Sequence, residues 1–167
     1  RYPGWRVAWT VGPKSVIDAV SSAGSFLDGG ASAALQRAAI PLLHDDHVAA
    51  ETRAVAQCFR RKRDLLLQRL ATIGVRFDRE PEGTFYVWGN LEQLPPPLND
   101  GMGLFRAGLE RKVITVPGVF FDVNPGKRRN QEHSRFRGYT RFSFGPPIET
   151  LETACDRLAE LVADTGA

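Results

Sequence analysis

Two arginines stand where a guanidinium group can meet an anion. Arg6 follows Pro3-Gly4, a turn signal, and opens the run Arg6-Val7-Ala8-Trp9-Thr10-Val11, which reads as a mostly apolar, buried strand. At that junction of turn and strand its planar fork of donors suits a phosphate or a carboxylate. On spacing alone Arg6 also reads as a surface or structural arginine. Arg141 lies in Gly138-Tyr139-Thr140-Arg141-Phe142-Ser143-Phe144-Gly145, which reads as a strand. Alternation puts Tyr139, Arg141 and Ser143 on one face and Thr140, Phe142 and Phe144 on the other. A mid-strand arginine is expensive to bury unless it meets a carboxylate, so composition alone assigns Arg141 to a salt bridge with an Asp or Glu.

Other constellations offer less. His44-Asp45-Asp46-His47 has two imidazoles with acids between them, a set a metal can use, but no third ligand is evident. It stands before a helix, where Asp is expected as a cap, and is read as capping, with no metal site. Three histidines give no arguable Ser-His-Asp set, and no glycine loop of the P-loop or dinucleotide type is present. The basic run Arg60-Arg61-Lys62-Arg63 sits on one helical turn beside Leu65-Leu66-Leu67 and reads as a solvated face. Residues 124–137, with Lys127, Arg128, Arg129, His133, Arg135 and Arg137, read as a solvated, mobile loop. Its single aromatic, Phe136, lacks the interleaving that single-strand binding needs.

The elements that must position these residues follow from periodicity and punctuation. A helix is expected over Ser15 to about Ala23, then an irregular stretch Gly24–Ser32, then a helix Ala33–Leu43 bent near Pro41. Val48, Val55, Phe59, Leu66 and Leu70 recur at helical spacing, predicting an amphipathic helix from about His47 to Ile73 that Gly74 stops. Val75–Asp78 and Thr84–Trp88 read as strands, Leu94–Leu98 as a stiff linker, and Gly103–Lys112 as a helix with Leu104, Phe105 and Leu109 inward. Val113–Gly118 reads as a buried strand, and a last helix after Pro147 has Leu151, Ala154, Leu158, Leu161 and Val162 as its stripe.

Four of these stretches carry a resemblance. Arg1-Tyr2-Pro3-Gly4-Trp5-Arg6-Val7-Ala8-Trp9-Thr10-Val11-Gly12-Pro13 is similar to the segment after the Schiff-base lysine in fold-type-I, class I and II aminotransferases, which use pyridoxal 5'-phosphate. Gly83-Thr84-Phe85-Tyr86-Val87-Trp88 resembles the family strand G-[AG]-F-Y-[LVI]-[WF], with a threonine where the pattern has Ala or Gly. Ile114 to Phe121 matches I-x-V-P-G-x-x-F, and residues 140–145 match x-R-[LFI]-S-[FL]-[GA]. The resemblance implies that Arg6 binds the cofactor phosphate and that Arg141 clamps the substrate α-carboxylate. It places the lysine just before Arg1, and none of Lys14, Lys62, Lys112 and Lys127 occupies that position. The chain is therefore expected to be the C-terminal part of an aminotransferase, inactive alone and with no catalytic residue of its own. Transamination between an amino acid and a 2-oxo acid would need the N-terminal part of the same protein. The implied architecture is α/β: residues 1–46 a remnant of the large cofactor domain, 47–74 a bridging helix, and 75–167 a small α+β domain with a mainly antiparallel sheet. In the family, the segment between the first two helices lies near the interface of a homodimer. The motifs leave open the lyases, cyclases and condensing enzymes of the same fold family, and a non-catalytic binding or dimerisation module.

Composition is ordinary for a soluble globular protein. The chain has 167 residues, 43% hydrophobic content and a formal net charge of +3, which suggests no nucleic-acid partner. No apolar run reaches the roughly 18 residues of a membrane span. No signal peptide is expected, and Cys58 and Cys155 make no disulfide framework, so the expected location is the cytoplasm.

Overall fold

The computed structural model describes residues 2–124 and 130–166. It comprises two compact units, Arg1–Ala54 and Val55–Ala167. In the first, the Pro3-Gly4 turn is a 3-10 turn, Pro3–Trp5, with Tyr2 (φ 49°) and Arg6 (φ 55°) left-handed at its two ends. The expected strand over residues 6–11 does not form. A strand's backbone groups need a neighbouring strand, and the described residues of this unit hold none. Its apolar side chains are correspondingly open, Trp9 68% and Val11 89% exposed.

Helix α1 spans Lys14–Leu27, four residues past its expected end. Gly24 costs a helix only about 1 kcal/mol, and its carbonyl accepts the N–H groups of Asp28 and Gly29 that close the last turn. Helix α2 covers Ala33–Ala39 and passes into a 3-10 turn at Ile40–Leu43, where Pro41 cannot supply the next helical N–H. Helix α3 runs over Asp45–Thr72, with Asp45 and Asp46 in its first turn, where carboxylates favour the positive end of the helix dipole. Among the described residues no group of three or more His, Cys, Asp or Glu could hold a metal.

The second unit is built round one core. Gly74, at φ 95°, ends α3 in a conformation that a Cβ disfavours. Strands β1 (Tyr86–Asn90), β2 (Val116–Pro117) and β3 (Tyr139–Ser143) form an antiparallel sheet in the order β1-β3-β2. Helices α4 (Gly101–Glu110) and α5 (Ile148–Gly166) complete the unit. Val87 and Phe142 from the sheet share a cluster with Leu66, Leu67 and Leu70 of α3, Leu104 of α4, and Leu151, Leu158 and Leu161 of α5. This is the mainly antiparallel α+β arrangement expected over this part of the chain. Arg111 fastens the end of α4 to α5 through Asp164 at 2.5 Å.

Several local expectations change. Val75–Asp78 is no strand but one antiparallel bridge, Arg76 to Asn90, because a single residue pair exchanges both backbone hydrogen bonds before the chain departs. Leu94–Leu98 is no free linker: its prolines exclude helix and strand, yet Leu94 and Leu98 are buried and close consecutive turns of the core wall. In α4, Leu104, Ala107 and Gly108 face inward and Leu109 is 44% exposed. The strand expected over Val113–Gly118 shrinks to two residues, with Ile114 at 77% exposure. In the basic stretch, Lys127, Arg128 and Arg129 lie outside the described residues. The part from Gln131 to Arg137 is tied down: Gln131–His133 is a 3-10 turn, Phe136 packs edge-on against Trp88, and Arg137 bonds Asp100. Desolvation acts to raise the Asp100 pKa, but hydrogen bonds from Arg137, Gly103 and Met102 outweigh it and hold the group below the ordinary carboxylate value.

Thr84 lies just before β1 at φ 64°, an exposed β-branched residue in the left-handed region. Thr84→Gly is expected to stabilise the fold by about 0.5–1 kcal/mol, the left-handed cost of roughly 1–2 kcal/mol less the freedom glycine adds to the unfolded chain. Urea unfolding measures this. A lowered midpoint would show that the threonine side chain compensates its own strain.

Candidate functional site

Arg141 occupies the middle of the central strand. Trp88 of β1 stands opposite it on one side and Val116 of β2 on the other. The predicted alternation holds: Thr140 and Phe142 are buried in the core, while Tyr139 and Arg141 are half-buried on the opposite face. The salt bridge that composition suggests is absent, since no Asp or Glu among the described residues pairs with Arg141. Aromatic faces meet the guanidinium instead. Its Cζ lies 3.9 Å from the centroid of the Tyr86 ring and 4.7 Å from that of Phe121. Cations in these positions are drawn to the negative ring faces.

The two rings arrive by different routes. Tyr86 is the first residue of β1, paired with Ser143, so it lies diagonally across from Arg141 on the same sheet face. Phe121 ends a 3-10 turn, Gly118–Phe121, that follows β2. That turn runs so close to the next segment that a Cβ on Gly118 would lie 2.3 Å from the Phe136 carbonyl oxygen. The next residue, Asp122, accepts a hydrogen bond from Ser134 at 2.8 Å and pairs with Arg135 at 3.7 Å. Trp88 extends the aromatic face, edge-on to Phe121 and Phe136 and stacked on Tyr139 with centroids 5.7 Å apart. Tyr139 donates to Asp78 at 2.9 Å and receives from Asn90 at 3.3 Å. The hydrogen bond to Asp78 comes first in raising the Tyr139 pKa, followed by burial and the Asp78 charge, so the phenol stays a protonated donor.

Arg6 belongs to the first unit and is described within it. It is exposed, and its Nη1 donates one hydrogen bond of 3.3 Å to its own turn, at the Pro3 carbonyl. Its other N–H donors have no partner among the described residues. A left-handed arginine closing a proline turn presents its guanidinium from a fixed backbone position, an arrangement compatible with holding a phosphate.

Sequence reasoning singled out Arg6 and Arg141 but missed both ring partners of Arg141. Parity along β1 would place Tyr86 on the right face once pairing is known. No local signal brings Phe121 there.

The family model for aminotransferase class I and II matches residues 2–158. The chain belongs to that family. Among its relatives, the LL-diaminopimelate aminotransferase of Oleidesulfovibrio alaskensis is 32% identical over 95% of this chain and 36% of its own length. The aspartate/prephenate aminotransferase of Thermus thermophilus is 30% identical over 95% of this chain and 37% of its own. In structure, a tetra mutant of Thermus thermophilus aspartate aminotransferase aligns with a TM-score of 0.78 at 28% identity, covering 96% of this chain and 40% of that one. The chain thus spans little more than a third of the curated relatives it matches.

With no carboxylate among the described residues to orphan, Arg141→Met is expected to cost about 1 kcal/mol or less, roughly the cation–π contacts it forfeits. A loss of about 3–5 kcal/mol in chemical unfolding would instead reveal a buried ion pair.

Proposed function

We propose that this chain is part of a pyridoxal-phosphate-dependent aminotransferase that moves an amino group between an amino acid and a 2-oxo acid. One observation carries the reading: Arg141 sits mid-sheet between two rings, with no carboxylate partner among the described residues and with its donor edge available. Family membership supports it. In this reading residues 1–46 belong to the large cofactor domain, 47–74 form the bridging helix and 75–167 the small domain.

The roles of the chain's residues follow from their chemistry. Arg6 holds the cofactor phosphate by charge-assisted hydrogen bonds. Arg141 takes the α-carboxylate of the substrate in a two-point contact, which fixes how the amino acid is turned toward the reacting centre. The bound cofactor supplies an electron sink for the bond broken at Cα. The lysine that anchors such a cofactor has no counterpart among this chain's lysines, so the chain alone is inactive. Substrate side-chain preference belongs mostly to residues outside this chain. We extend the proposal to a homodimer, supported by the open apolar side chains of the first unit, among them Phe26 at 90% and Leu27 at 83% exposure. A cytoplasmic location is supported by Cys58 and Cys155, both free thiols. No described helix is long and apolar enough to cross a membrane.

Two substitutions in the complete enzyme test the roles separately. Arg6→Ala should weaken cofactor retention by roughly 1.5–3 kcal/mol, a hydrogen bond to a charged group, and slow a saturated reaction less. Dialysis that strips cofactor equally from variant and parent would remove the phosphate from Arg6. Arg141→Lys keeps the charge and loses the fork, so kcat/KM for an amino acid should fall while that for its decarboxylated amine barely changes. An equal fall for both would make Arg141 purely structural.

A further inference from the structure

We infer that Tyr86 and Phe121 are positioning residues for Arg141, a two-sided aromatic clamp that fixes the plane of its guanidinium and reserves its donor edge for an incoming carboxylate. The inference rests on the carboxylate-binding role proposed for Arg141 and deepens it.

The distances require contact with both rings. At 3.9 Å from the Tyr86 centroid and 4.7 Å from that of Phe121, the guanidinium carbon is within cation–π range of each. A guanidinium uses its faces for such contacts and its in-plane N–H groups for hydrogen bonds, so ring contacts leave the fork unspent. A carboxylate partner within the protein would instead occupy that fork and compete with substrate. Among the described residues none does, although an acid adjoins one of the rings in sequence: Asp122, beside Phe121, is engaged by Ser134 and Arg135. That engagement serves a second purpose. It ties the turn bearing Phe121 to residues 134–135, while Trp88 braces Phe121 edge-on from β1. Tyr86 is held by its pairing with Ser143 and by the Phe85 ring, 4.2 Å away. Rings anchored on separate segments leave a flexible arginine far fewer rotamers, which reduces the ordering cost of binding.

The test is titration of the chain with pyruvate, followed by NMR of the Arg141 Nε–Hε signal, with pyruvamide as the uncharged control. Parent protein should show a saturable shift with pyruvate alone. Tyr86→Leu and Phe121→Leu should each weaken that binding about two- to ten-fold, the range expected of a partly desolvated cation–π contact. Tyr86→Phe, which keeps the ring, should bind like the parent. In an Arg141→Lys background, followed by pyruvate's own signals, the leucine substitutions should have a much smaller effect, because an ammonium has no plane to orient. A merely structural role would give the same loss in both backgrounds. Should the parent give no pyruvate-specific shift, or should Arg141→Ala, followed by pyruvate's own signals, bind pyruvate like the parent, the carboxylate reading itself fails. Should Arg141→Ala abolish binding while both leucine variants, folded by circular dichroism, bind like the parent, the clamp alone is overturned.

Discussion

A permanent positive charge in the central strand of a three-stranded sheet must be neutralised, solvated or met by polarisable surface. Among the described residues no carboxylate neutralises this one: aromatic surface meets the half-buried guanidinium. Arg141 lies between Tyr86 and Phe121, and much of the second unit's local geometry serves that contact. The β1–β3 register brings Tyr86 to the right face, and the tight passage at Gly118 brings Phe121 over it. A carboxylate would have been the simpler partner, but it would also have consumed the donors that make an arginine useful.

The sheet therefore works with two unlike faces. One is ordinary core, where Val87 and Phe142 close against leucines of α3, α4 and α5. Its stability comes from apolar burial, since the ion pairs between helices, such as Arg69 to Asp156 and Arg111 to Asp164, are surface contacts of small individual worth. The other face is aromatic and half-open, with Trp88, Phe136 and Tyr139 packed edge and face around the arginine's neighbours. A rigid core behind a half-buried charged face is the arrangement a binding surface needs, because the side chains in front inherit the strand's fixed spacing.

The first unit has a different character. Its helices form, yet no residue in them is buried, and the residues after Arg6 find no neighbouring strand. Apolar side chains such as Trp9 and Phe26 carry hydrophobicity that nothing in the unit covers. The chain matches little more than a third of its aminotransferase relatives' length, and this is the surface that the proposed large domain and second subunit would cover.

Much was legible in the residues themselves because it rests on local rules. The period of Phe59, Leu66 and Leu70 gave α3, Gly74 its end, and alternation along residues 139–143 the two faces of β3. The turn at Pro3-Gly4 followed from a short motif, and Arg6 and Arg141 could be singled out as candidates in the same way. Pairing lies beyond local rules. The run from Arg6 to Val11 has the composition of a strand but, in the described residues, no partner to bond, and Val75–Asp78 keeps only one bridge for a similar reason. The salt bridge expected of Arg141 was a sound inference from charge burial, and only tertiary structure shows that two rings take its place. Tyr86 and Arg141 are 55 positions apart in the chain, and Phe121 and Arg141 are 20 apart, by their numbers. No periodicity relates such separations. Backbone hydrogen bonding between strands and a turn tight enough to demand glycine bring them within a few ångströms.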